Sequence, residues 1–136
     1  VNMGFWSLGA IRQPKAQDIK WRKSPRGEYY RLFMIDDISE LSLDGVGGVY
    51  LLWHGGLKPS WLVAGATEDL GHSFSELMRD PDIREYDTRG GGYMSWSPIK
   101  DSFREGVVHF IAKHTNPTFE CDYDSKEDPI PVLLPR

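Results

Sequence analysis

The chain has 136 residues, of which 40% are hydrophobic and 26% charged, with a net charge of −4 and a single cysteine, Cys121. That describes one domain of ordinary size with enough apolar mass for a core, and it excludes an internal disulfide. No apolar run is long enough to span a bilayer, and the acidic balance opposes generic nucleic-acid binding, which draws most of its affinity from cations facing phosphates.

The first stretch, residues 1–44, is aromatic and basic. It holds Trp6, Trp21, Tyr29 and Tyr30, together with Arg12, Lys15, Lys20, Arg22, Lys23 and Arg26. Too aromatic for a disordered tail, it is expected to be an extended arm that packs on its own domain or on another subunit, with Trp6, Trp21, Tyr29 and Tyr30 as the binding residues. The opening Val1–Trp6 lacks the basic start and long apolar core of a signal peptide. Asp36–Leu41 predicts one helical turn before the glycines at 45, 47 and 48.

Two apolar runs follow, Gly48–Trp53 and Trp61–Ala64, joined by a loop with Gly55, Gly56 and Pro59. They predict a β-hairpin. Thr67 is the expected N-cap of a helix reaching about Arg79, with Leu70, Phe74 and Leu77 at i, i+4 and i+7 on its apolar face. Pro81 is taken to open a connection, and Gly90–Gly92 to lead into a third strand over Tyr93–Ser97. Ser102 and Glu105 have capping-box spacing for a second helix reaching about His114, with Phe103, Val107, Phe110 and His114 on one stripe. Asn116–Pro117 ends it, and a proline-rich tail closes the chain. The expected fold is α+β: a small three-stranded antiparallel sheet flanked by helices, occupying residues 45–136, with the arm over 1–44.

Val49-Tyr50, Trp53-His54-Gly55-Gly56, Gly65, Asp80–Ile83, Gly106-Val107, Pro117 and Pro129–Val132 run in an order that resembles the small GIY-YIG nuclease-like proteins of bacteria and phages. Residues 1–44 lie outside the resemblance. In that family two strand tyrosines, a helical arginine, a metal-binding glutamate and a late asparagine cooperate in cleaving phosphodiesters. Carried over by position, the resemblance implies that Tyr50 matches the first tyrosine and Gly65 its neighbouring motif. Val63 replaces the second tyrosine, Ser73 the arginine, Val108 the metal-binding carboxylate and Glu120 the asparagine. Valine offers no oxygen to a hard cation, and serine has neither the charge nor the bidentate donors of arginine.

The resemblance therefore implies a scaffold without its catalyst. The expectation is a structural or binding subunit with no catalytic residues, no metal and no cofactor, a component of a homo-oligomer or larger particle, phage or phage-like, cytoplasmic or virion-associated. Two alternatives compete. One is a diverged nuclease with Mg or Mn that uses Tyr50, with Glu105 replacing the lost carboxylate and Arg79 or Arg104 the lost arginine. The other is a nucleic-acid-binding module that stacks bases on Trp21 or Tyr29. The four histidines, 54, 72, 109 and 114, show no helical zinc spacing and read as surface or boundary residues. The acidic stretch Asp122–Asp128 begins like a calcium loop but lacks glycine at the sixth position, where Glu127 stands, and reads as a solvated turn. Basic N-terminal and acidic C-terminal stretches are suited to pairing between copies as well as to solvation.

Overall fold

The run Gly48–His54 is almost continuously buried rather than alternating, because both of its faces are covered. The computed structural model describes residues 15–57 and 59–135. Within them, β1 (Tyr30–Arg31), β2 (Gly48–His54), β3 (Ser60–Thr67) and β4 (Gly92–Pro98) form one sheet. Its order is β1-β4-β2-β3, with every pairing antiparallel. The helices are α1 (Leu70–Met78), α2 (Pro81–Asp87) and α3 (Asp101–Thr115). Short 3-10 turns cover Leu32–Met34 and Ile38–Leu41.

The α+β class matches the sequence expectation, but the sheet has four strands where three were expected. The added strand is Tyr30–Arg31, paired through Tyr30–Met94 and Arg31–Tyr93 on the free side of β4. Further along that edge the Arg22 N–H donates to the Trp96 carbonyl at 3.0 Å. Ser95 and Ser97 on β4 donate their hydroxyls to the carbonyls of Arg22 and Ile19. Leu32 then enters the core with no exposure. The described part of the N-terminal stretch is thus built into the sheet edge.

One face of the sheet packs Leu52, Met94 and Trp96 against Leu70 and Phe74 of α1 and Ile83 of α2. The other packs Val49, Leu51 and Ala64 against Val107, Val108 and Ile111 of α3 and Val132 of the tail. Each fully buried side chain of this size contributes roughly 1.5–3 kcal/mol by leaving water. Helix α1 is capped by Asp69, not Thr67. The Asp69 carboxylate accepts from the N–H groups of His72 (3.1 Å) and Gly45 (3.0 Å), and Thr67 Oγ1 accepts from Asp69 N (3.0 Å). Pro81 does not open a loop. It sits in the first turn of α2 behind the Asp80 cap, where a missing N–H costs nothing.

Helix α3 begins one residue before Ser102, so the expected capping box does not form. Its buried residues are Gly106–His109 and Ile111, while Phe103 is 51% exposed. The apolar stripe is therefore rotated from the expected one. Gly106 is where the tail crosses the helix. The Ile130 N–H donates to its carbonyl at 2.9 Å, and a Cβ there would collide with Asp128 and Ile130. Two histidines are buried rather than peripheral. His54 Nε2 donates to Arg89 O (3.1 Å), and His109 Nδ1 donates to Glu127 O (2.7 Å) while its ring stacks on Tyr123. His72 and His114 are exposed.

Candidate functional site

The outer edge of β3 is closed by the chain after α3. Thr118 N donates to Trp61 O and Phe119 N to Leu62 O, each at 2.9 Å, which covers backbone groups that would otherwise stand open. Beyond Phe119 the chain lifts off, and a cleft of about 530 Å³ opens between it, β3 and α3. Its walls are Tyr50, Val63–Ala66, Glu105, Glu120 and Asp122–Asp124.

Tyr50, Gly65 and Glu105, far apart in sequence, all reach this cleft. Tyr50 stands opposite Gly65 in the β2–β3 register and packs its ring on Phe74, 5.6 Å between centroids, on the α1 face. Burial, with the Cys121 thiol nearby, pushes the Tyr50 phenol above its ordinary value, so the ring is a neutral hydroxyl at physiological pH. Glu105 comes from α3, which lies on the opposite face with Val49 and Leu51. Side chains alternate along a strand, so the cleft bends around the edge of β3 with the two residues on different sides of the sheet. Burial also pushes the Cys121 thiol up, which makes it a weak nucleophile.

Val63 and Glu120, which the resemblance places at the second tyrosine and the asparagine, also line the cleft, whereas Val108 and Ser73 fall elsewhere. Val108 is wholly buried among Val49, Leu51 and Ile111. Ser73 donates its hydroxyl to Thr67 Oγ1 at 2.8 Å. Neither arginine considered as a substitute lines the cleft. Arg79 is exposed beyond α1 and pairs with Glu76 at 3.3 Å. Arg104 donates from Nε to Ile99 O at 2.7 Å and lines only a smaller adjoining hollow with Thr67 and Asp101. The cleft lining thus carries four carboxylates, from Glu105, Glu120, Asp122 and Asp124, and no basic side chain. Among the described residues no three His, Cys, Asp or Glu side chains converge in a metal-binding group.

A second concavity, about 550 Å³, lies at the opposite sheet edge, beside β4. Asp18, Lys20, Trp21, Arg22, Lys23 and Tyr29 form one wall and Leu133–Pro135 the other. The tail is fastened there by Gln17 N to Pro131 O (3.0 Å), Leu133 N to Gln17 O (2.8 Å) and Trp21 Nε1 to Leu133 O (2.7 Å). Of the expected binding residues, Trp21 and Tyr29 line this groove, and Tyr29 meets Trp53 edge-on at 5.0 Å. Tyr30 instead stacks on Trp96 inside the fold, and Trp6 lies outside the described residues.

No family model, curated protein or solved structure matches the chain. Asp122, Tyr123 and Asp124 were missed as cleft residues, and Leu133–Pro135 as groove residues. Their charge and apolar character are plain in the sequence, but nothing local says which distant strand each one meets. No helix among the described residues is long and apolar enough to cross a membrane.

Proposed function

We propose that this protein is a non-catalytic structural or binding subunit of a larger protein assembly, built on a degenerate GIY-YIG-like scaffold. The observation that carries this reading is the lining of the β3-edge cleft, four carboxylates without a cation. A phosphodiester brings negative charge that an acidic wall repels, and its transition state needs donors and cations. Val108 supports the same conclusion, since its buried methyl groups stand where the family resemblance calls for a metal-binding carboxylate.

A second reading, a diverged Mg- or Mn-dependent nuclease, is favoured by one observation: Tyr50, Gly65 and Glu105 line the same cleft. Incubating the full chain with single- and double-stranded DNA and RNA, in Mg²⁺ or Mn²⁺, separates the two. The proposal expects no cleavage by the native chain beyond that of Glu105→Ala. Cleavage lost in both Glu105→Ala and Tyr50→Phe would replace it with the nuclease.

A further inference from the structure

We infer that the groove beside β4 receives the acidic turn Asp122–Asp128 of a second copy, so that copies associate head to tail. This rests on the reading of the protein as an assembly subunit and names one partner within it.

The groove has apolar and aromatic walls, with three cations, Lys20, Arg22 and Lys23, against one carboxylate, Asp18. Trp21 is fixed by its bond to Leu133 O, and the Lys23 ammonium sits 4.9 Å from the centre of the Tyr29 ring. Arg22 is steadied by donation to Lys20 O at 3.1 Å. Lys20 has φ 59°, a left-handed conformation that non-glycine residues adopt at some cost, and its ammonium meets Asp18 in an exposed pair at 3.2 Å. An exposed pair of that kind is worth little and exchanges partners readily.

The proposed occupant is an acidic turn that carries one cation, Lys126. Asp122, Asp124, Glu127 and Asp128 are all exposed. The turn holds its own shape, with Glu127 N donating to Asp124 O and Lys126 N to Asp124 Oδ1. It is anchored from behind by His109 Nδ1 on Glu127 O and by the stacking of Tyr123 on His109. An acidic turn tied to α3 therefore matches a groove of net positive lining in charge.

The groove cannot be filled by the same copy's turn. The turn is tied to α3 beyond the β3 edge, whereas the groove lies at the β4 edge across the sheet. None of the ion pairs among the described residues joins the two. A contact between unlike surfaces is heterologous, so repetition gives a ring or an open filament. Nucleic acid would also suit the cations, but it leaves the acidic turn unanswered and meets a chain of net charge −4.

Light scattering on the purified full chain provides the test, using two variants that each block one surface. The groove variant is Lys20→Ser, Arg22→Ser and Lys23→Ser; the turn variant is Asp122→Ser, Asp124→Ser and Glu127→Ser. All six side chains are exposed, and circular dichroism checks that both variants keep the native fold. The native chain should gain mass with concentration at about 0.05 M salt. Its association should weaken at least about tenfold by about 0.5 M, as the screening length falls from roughly 14 to roughly 4 Å. Each variant alone should be monomeric, and an equal mixture should form a one-to-one dimer, because each supplies the surface the other lacks. The inference is overturned by a native chain that stays monomeric at low salt, by a mixture of variants that stays monomeric, or by association that both variants retain. An oligonucleotide that occupies the groove of a monomeric native chain overturns it as well. None of these results requires nucleic-acid cleavage, so the subunit reading fails separately, through the nuclease assay.

Discussion

The ring of Tyr50 on β2 lies over the bare Cα of Gly65, its cross-strand partner on β3, in the space any Cβ at position 65 would fill. The pair sits where the β3-edge cleft opens, and Phe74 holds the ring from below. Gly65→Ala should therefore push the ring off its support and cost about 1–2 kcal/mol. In a Tyr50→Ala background the same change should cost less than about 0.5 kcal/mol, because the obstacle is gone. Urea denaturation of the four proteins in this cycle measures the coupling; equal costs in both backgrounds would show that the ring does not lie over Gly65.

Val108→Glu separates a lost metal ligand from a core position. At a site with no exposure among Val49, Leu51, Ala64 and Ile111, a carboxylate has no partner. We expect destabilisation by more than about 4 kcal/mol and no gain of metal binding. A folded variant that binds Mn²⁺ in calorimetry would place position 108 at the cleft and restore the family's site.

Stability should fall at both ends of the pH scale for different reasons. Hydrogen bonds from Gly45 and His72 hold the Asp69 carboxylate below its usual range. A lowered folded-state value stabilises the protein above the unfolded value, about 3.9, and that contribution disappears as pH falls through the folded value. Tyr50 works in the other direction. Burial raises its phenol, so its contribution is complete below about pH 10 and is lost as pH rises through the folded value. Thermal melts should show a shallower acid limb in Asp69→Ala and a shallower alkaline limb in Tyr50→Phe. Unchanged limbs would contradict the two assignments.

Trp21 has a structural job that complicates its use as an interface probe. Its indole N–H fastens the tail at Leu133. Trp21→Phe keeps a ring and loses the bond, for about 1 kcal/mol; Trp21→Ala loses both, for about 3 kcal/mol. Hydrogen exchange should report faster opening at Leu133 N–H, which donates to Gln17 O, in both variants. Protection equal to that of the native chain would mean the indole does not hold the tail.

The sequence was legible where local pattern decides structure. The β2–β3 hairpin, α1, β4 and α3 all announce themselves in apolar runs or in turns of small residues. β3 runs on past Ala64 to Thr67, because the small residues at 65 and 66 look like a loop until they are paired with Tyr50 and Val49. The strand Tyr30–Arg31 is too short to carry a period, and its partners on β4 lie some sixty positions away. Pro81 looked like a breaker because only the Asp80 cap in front of it makes it a helix start. At the cleft, Tyr50, Gly65 and Glu105 were singled out individually. Asp122–Asp124 opposite them was not, because it is brought there by the bonds of Thr118 and Phe119 to β3, which no spacing encodes.

The central claim, that this chain works as part of an assembly, is tested most directly by its native mass. Gently lysed from the cells that make it and sized by light scattering, the protein should travel in a particle of fixed composition many times heavier than a single chain. A free monomer in that lysate would contradict the account.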